Sequence, residues 1–160
     1  MKSGTSPDFE LQLAVEQLHA RYAHALDAGR LEEWPEFFTE EGRYRIATAE
    51  NEERGLPLPV LYAEGRAMLR DRVASLRHAN IYEPQRYRHL ASSFLVQRVD
   101  DRVVSSTSSF VVIRVMQDGA TMVFASGRYL DRIVVADMKY EERVVVCDSR
   151  RFDTLLAIPL

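Results

Sequence analysis

The sequence predicts a single α+β domain in which three helices come first and cover one face of a strongly curved, mostly antiparallel sheet. Three observations carry this prediction. Residues 1–80 hold 3 valines and residues 81–160 hold 13, and valine, stiff at χ1, fits a pleated surface. The first half instead spaces its apolar residues three and four apart, the period of a helix face. From Arg86 onward, four long strand candidates are parted only by Asp100-Asp101, Asp118-Gly119 and Asp137-Met138, breaks short enough for tight hairpins. Helices followed by strands, rather than alternating with them, give an α+β arrangement.

The first helix is expected to begin near Ser6-Pro7-Asp8, with Ser6 as cap and Pro7 at the first position. Its stripe is Leu11, Ala14, Val15, Leu18, Tyr22, Ala25 and Leu26, and Gly29 ends it. A second, short helix from Leu31 to Phe38 supplies Trp34, Phe37 and Phe38, with Pro35 tolerable only in its first turn. A strand over Gly42–Thr48 follows, then a loop over Ala49–Pro59 marked by Gly55, Pro57 and Pro59. A short strand, Val60–Ala63, leads to a third helix from Gly65 to His78 with Met68, Leu69, Val73 and Leu76 inward. The four strands are Arg86–Val99, Arg102–Gln117, Thr121–Ala136 and Lys139–Leu155. Strands this long, joined by short turns, must twist and curl, and helices on one face would close a cone. Nothing in the 160 residues marks a linker or repeat, so residues 1–160 form one domain, with residues 1–7 flexible.

Composition removes several function classes. The single cysteine, Cys147, excludes a disulfide framework and any all-cysteine metal site. No apolar run approaches the roughly 20 residues of a membrane span, and MKSGTSPDFE lacks the apolar stretch of a secretory signal, which makes the cytoplasm the expected address. A net charge of −3 without a basic block argues against nucleic acid as a partner. Of the 21 basic residues, 19 are arginine. Arginine's planar fork suits bidentate ion pairs at buried interfaces, although base composition of the genome explains the same bias.

Candidate chemistry is sparse. His19 and His24 with Asp27 resemble the two-histidine, one-carboxylate ligand set of non-haem iron, but five residues apart on a helix is a divergence of about 140°. His19 falls on the edge of the apolar stripe, and His24 and Asp27 point away from it, as solvated or interface groups would. Alternation places Tyr87, His89, Ala91, Ser93 and Leu95 on one face of a strand, with Arg86, Arg88, Leu90 and Phe94 on the other. If the His89 face lines the cone, His89 could move protons with Tyr87, Tyr22, Tyr62 or Asp27 as neighbours, since histidine titrates near neutrality. No nucleophile elbow, zincin motif, C-x-x-C, phosphate loop or dinucleotide fingerprint is present. Ser105 to Ser109 fall within a strand, where small hydroxyl residues line a cavity or permit close packing. Cys147 reads as a small core or interface residue. The pairs Arg43/Arg45, Arg86/Arg88 and Arg150/Arg151 suggest ion pairs with a protein partner. The apolar stretch Leu155 to Leu160 should be tucked against something.

Three segments then carry a family resemblance: Trp34-Pro35-Glu36-Phe37-Phe38-Thr39-Glu40-Glu41-Gly42-Arg43-Tyr44, Arg86-Tyr87-Arg88-His89-Leu90-Ala91-Ser92-Ser93, and the closing run from Asp148-Ser149-Arg150-Arg151-Phe152-Asp153 to Leu160. In this order and at this length, over about residues 8–160, the chain resembles the small (beta) subunit of Rieske-type aromatic-ring-hydroxylating oxygenases, within the cone-shaped nuclear transport factor 2-like fold. The resemblance implies a structural subunit that assembles with a catalytic alpha subunit and with itself, as three of each. It implies no catalytic residue and no metal on this chain. The Rieske cluster and mononuclear iron are expected in the alpha subunit, because a Rieske centre needs two cysteines and two histidines and this chain has one cysteine. Interface roles are suggested for Arg86, Arg88, His89, Arg150, Arg151 and Asp153. Two other readings stay open. One is a stand-alone dehydratase, isomerase or cyclase with the same fold, using His89 with Asp27 or a tyrosine. The other is a ligand-binding or scaffold protein with no oxygenase partner. An open apolar pocket beside His89 would favour the enzyme, and a filled cone would count against it.

Overall fold

A computed structural model describes residues 8–56, 58–78, 84–150 and 158–160. Helix α1 spans Phe9–Asp27 and is followed by a 3-10 helix over Leu31–Phe37. Strand β1 (Phe38–Thr48), a short α2 (Ala49–Glu53), β2 (Leu61–Glu64) and α3 (Gly65–His78) come next, then β3 (Gln85–Arg98), β4 (Val103–Met116), β5 (Thr121–Val134) and β6 (Lys139–Cys147). The six strands lie in the order β2-β1-β6-β5-β4-β3. All neighbours pair antiparallel except β1 and β6, which run parallel.

Several expectations shift in instructive ways. Asp8, not Ser6, caps α1: its carboxylate accepts from the Leu11 amide at 3.1 Å, while Ser6 and Pro7 lie outside the described residues. The second helix is 3-10 rather than α, with Pro35 at its fifth position, because the ring withholds an amide that an α-helix would use there. Phe38 leaves that helix and opens β1. The segment expected to be all loop folds into α2, nucleated by the Thr48 hydroxyl accepting from the Asn51 amide. Met68 of α3 is exposed, so that helix faces the core mainly through Leu69 and Val73. Strand β6 is assigned only to Cys147, and residues 151–157 lie outside the described set.

The sheet bends but does not close, leaving β2 and β3 as edges. Irregularities in register between Phe38 and Arg43, Ser92 and Leu95, Val112 and Ile113, and Arg132 and Ile133 supply the bends. The one in β3 has a consequence for side chains. Ser92 pairs with Ser109 and Leu95 with Thr107, so β3 carries one residue too many, and Ser93 sits there at φ 57°. One extra residue reverses the alternation beyond it. Phe94 therefore turns inward, its ring 4.7 Å from that of His19, and Leu95, expected on the His89 face, is 68% exposed.

Candidate functional site: a filled cone interior

The concave face of the sheet is lined by a row of polar side chains set in register. Tyr44 of β1 stands beside Arg143 of β6, Arg143 beside Asp131 of β5, and Asp131 beside Ser106 of β4. All four are buried. Arg143 donates to both carboxylate oxygens of Asp131, at 3.1 and 3.3 Å, and to Nδ1 of His19 at 2.9 Å. The rings of Tyr129, Tyr22 and Tyr140 surround its guanidinium at 3.7, 4.3 and 4.5 Å. Burial pushes the Asp131 carboxyl up to about 7, with Arg143 pulling the other way. Burial works against charge on Arg143, but Asp131 together with Tyr140, Tyr22 and Tyr129 outweighs it and holds the guanidinium above its ordinary range. His19 lies well below the usual histidine value, chiefly because it is buried and secondly because Arg143 is close. It is therefore neutral, with Nδ1 as acceptor. His19 is thus a core residue, where a solvated or interface residue was expected; the sequence contained no sign of its partner, which lies 124 positions away in sequence.

A second polar group forms where α1 meets β3. Asp27 was expected to point away from the apolar stripe, but its side chain is buried and accepts from the His89 backbone amide at 3.0 and 3.1 Å. His89 Nδ1 meets Asp27 at 2.6 Å and Nε2 meets the Pro159 carbonyl at 2.8 Å. Both ring nitrogens of His89 are therefore engaged within the chain. Gly29, at φ 75°, ends α1 just beyond Asp27, with the Arg30 amide donating to the Ala25 carbonyl.

Of the residues singled out by sequence, the structure brings Tyr22, Asp27, Tyr87 and His89 into the interior. The Tyr87 ring lies 6.3 Å from His89. Tyr62 does not join them: it is 42% exposed, donates to Glu64 at 2.9 Å and lines a surface cleft with Arg45 and Leu56. His89, placed among candidate interface residues, faces inward instead. Arg86, Arg88 and Arg150 are exposed, and Arg151 and Asp153 lie outside the described residues. Several arginines expected to reach a partner pair within the chain: Arg43 with Glu142 at 2.9 Å, Arg45 with Glu52, Arg88 with Asp27 at 3.7 Å and Arg150 with Glu50 at 3.0 Å. Cys147 is buried, which pushes its thiol up to about 12 and leaves it unreactive. Among the described residues, no group of three histidine, cysteine or acidic side chains could hold a metal ion, and no helix is long and apolar enough to cross a membrane.

The interior is occupied. Pro159 and Leu160 are buried, and Ile158 packs against the same core. Tyr22 and Tyr44 donate to the backbone oxygen of Leu160 at 2.8 and 3.0 Å. The apolar run that sequence expected to be tucked away is, in its described part, inside the cone.

Comparison with known proteins agrees with this architecture. The SnoaL-like domain matches residues 7–140. The chain is 42% identical over 153 residues to the beta 1 subunit of the terminal oxygenase component of terephthalate 1,2-dioxygenase from Comamonas sp., covering 94% of this chain and 98% of that one. The chain belongs to the SnoaL-like family, among the beta subunits of aromatic-ring-hydroxylating dioxygenases. The small subunit of anthranilate 1,2-dioxygenase from Burkholderia cepacia is 39% identical over 155 residues, covering 96% of each chain. A crystal structure from Novosphingobium aromaticivorans, named as the beta subunit of an aromatic-ring-hydroxylating dioxygenase, superposes with a TM-score of 0.88 at 34% identity, covering 97% of this chain and all of that one. The fold is thus the helices-then-sheet cone of SnoaL-like and nuclear transport factor 2-like proteins, and enzyme activity in these dioxygenases belongs to the assembled complex.

Proposed function

We propose that this beta subunit is structural: it assembles with a catalytic alpha subunit, three of each, and carries no reacting group itself. The observation that carries this reading is the state of His89. Its two ring nitrogens are taken by Asp27 and by Pro159, so neither faces open space where a substrate proton could be reached. That same observation counts against the stand-alone dehydratase, isomerase or cyclase. The acid–base pair His89–Asp27 exists, but the Pro159 carbonyl takes the ring nitrogen that a substrate would have to reach.

The Rieske cluster and mononuclear iron belong, on this reading, to the alpha subunit, since one buried cysteine does not fit a cluster held by two cysteines and two histidines. The holoenzyme works in the cytoplasm and inserts oxygen into an aromatic compound. Terephthalate and anthranilate, named in the relatives, are both aromatic carboxylates, which favours a substrate of that class. Exposed Arg86, Arg88 and Arg150, with Arg151 and Asp153, are the residues assigned to subunit contacts. Co-expression with a Rieske large subunit from a neighbouring gene should yield a brown, co-purifying complex with equal numbers of the two chains and a mass near three of each. A chain that purifies alone beside a fully active large subunit would sink the proposal. His89→Gln should leave turnover per assembled complex unchanged. A loss of turnover with assembly intact would return the residue to a catalytic role.

A further inference from the structure

Residues 158–160 are held in the way a site holds a ligand. The Pro159–Leu160 peptide unit and the backbone oxygen that follows it are met by polar groups. The Pro159 carbonyl accepts from His89 Nε2 at 2.8 Å, and the backbone oxygen of Leu160 accepts from Tyr22 Oη at 2.8 Å and Tyr44 Oη at 3.0 Å. The Leu160 amide donates to Tyr44 Oη at 3.1 Å. These groups are themselves fixed: Trp34 Nε1 donates to Tyr22 Oη at 3.1 Å, and Asp27 orients the His89 ring from its far side. The Leu160 side chain has no exposed surface and belongs to the main core cluster. An apolar segment that merely avoided water would need only an apolar wall. Here three side chains from α1, β1 and β3, all buried, converge on the backbone of the segment, which is recognition of peptide groups beside an aliphatic pocket.

We propose that the cone interior is a binding site for a short apolar peptide with two consecutive backbone-oxygen acceptors, an amide donor between them and a branched aliphatic side chain on its last residue, kept closed by the chain's own residues 158–160. The site is built by the body of the domain, so it persists when the segment is removed and accepts the same chemistry supplied in trans. The inference does not depend on the structural role proposed above.

The test is the chain with residues 158–160 deleted, titrated with N-acetyl-Ile-Pro-Leu and followed by calorimetry and by thermal unfolding. Saturable one-to-one binding with recovery of the lost thermal midpoint is expected, and the scrambled N-acetyl-Pro-Leu-Ile should do neither. Tyr44→Phe in the deleted chain should weaken binding roughly tenfold, the effect of losing its hydrogen bonds. Failure of the folded deletion variant to bind, or equal binding of the scrambled peptide, overturns the proposal. If the deleted chain does not fold by itself, refolding with the tripeptide decides, and no recovery counts against the site. Leu160→Ala in the intact chain gives an independent reading: its loss of thermal midpoint should be recovered by the tripeptide and not by the scrambled peptide, and absence of that difference overturns the proposal as well.

Discussion

Replacing Arg143 by Met tests the energetic logic of the cone interior. Arg143 and Asp131 have no exposed side-chain surface, so Arg143→Met leaves a carboxyl buried with no cation beside it. That carboxyl must take up a proton on folding. The loss should be about 4 kcal/mol, the middle of the range of about 3–5 kcal/mol found when one partner of a buried ion pair is removed. For a domain of this size the thermal midpoint should drop by about 8–16 °C. Arg143→Met with Asp131→Leu removes both charges and should recover most of the loss, because an apolar pair of similar volume escapes the desolvation of two ions. The pH dependence separates this account from a packing defect. In the single variant the folded state holds a proton that the unfolded state releases above the ordinary value of 3.8, so its stability falls as pH rises. Relative to the double variant, the slope should be about 1.4 kcal/mol per pH unit between pH 5 and 7. Urea denaturation at fixed protein concentration across that range measures it. A single variant within about 1 kcal/mol of wild type, or a double variant no better than the single, would refute the argument.

Other expectations follow from neighbouring features. Because His19 is neutral and buried while its unfolded counterpart takes a proton below about 6.5, the difference in stability between wild type and His19→Gln should shift against wild type as pH falls from 6.5, by up to about 1.4 kcal/mol per unit; a pH-independent difference in urea midpoints contradicts that. Gly127 lies so close to β6 that a Cβ would overlap the Val146 carbonyl, and Gly127→Ala should cost about 3 kcal/mol or abolish soluble expression. Unchanged thermal stability would show that the two strands can separate freely. The Cys147 thiol should resist alkylation at pH 8 in the folded chain and react fully in denaturant, as mass spectrometry would report. By contrast, removing the half-exposed Arg43–Glu142 pair should change stability by less than about 1 kcal/mol.

Much of the backbone was legible because its signals are local. Helix α3 runs from Gly65 to His78 as the apolar spacing and Gly65 predict, and β3 to β6 begin within one residue of the expected positions. Errors arose where a local signal was ambiguous. Pro35 permits a 3-10 helix as readily as an α turn, and the polar segment after Thr48 had a capping hydroxyl that outweighed its loop-like composition. The candidate site was legible only in part. Spacing points to Tyr22, Tyr87 and His89, and to Asp27 as a partner for His89. Spacing points to Tyr62 as well, yet the sheet carries it to the outside. Arg143, which meets Asp131, His19 and three tyrosine rings, is not legible in the sequence, because an arginine within a valine-rich strand looks the same whether it faces water or a buried carboxylate.

The sequence by itself determined the order of helices and strands, the absence of a cysteine-based metal centre and, through three matching segments, the family. Periodicity and turn chemistry act over a few residues and can be read from them. The tertiary structure alone decided which polar groups meet. The extra residue at Ser93 reverses the inward face of β3, and the parallel pairing of β1 with β6 brings Tyr44 beside Arg143. The packing of α1 on β3 presents Asp27 to His89. Such contacts join positions far apart in the chain, and their energies depend on burial, a property that no single residue possesses until the sheet has curved around it.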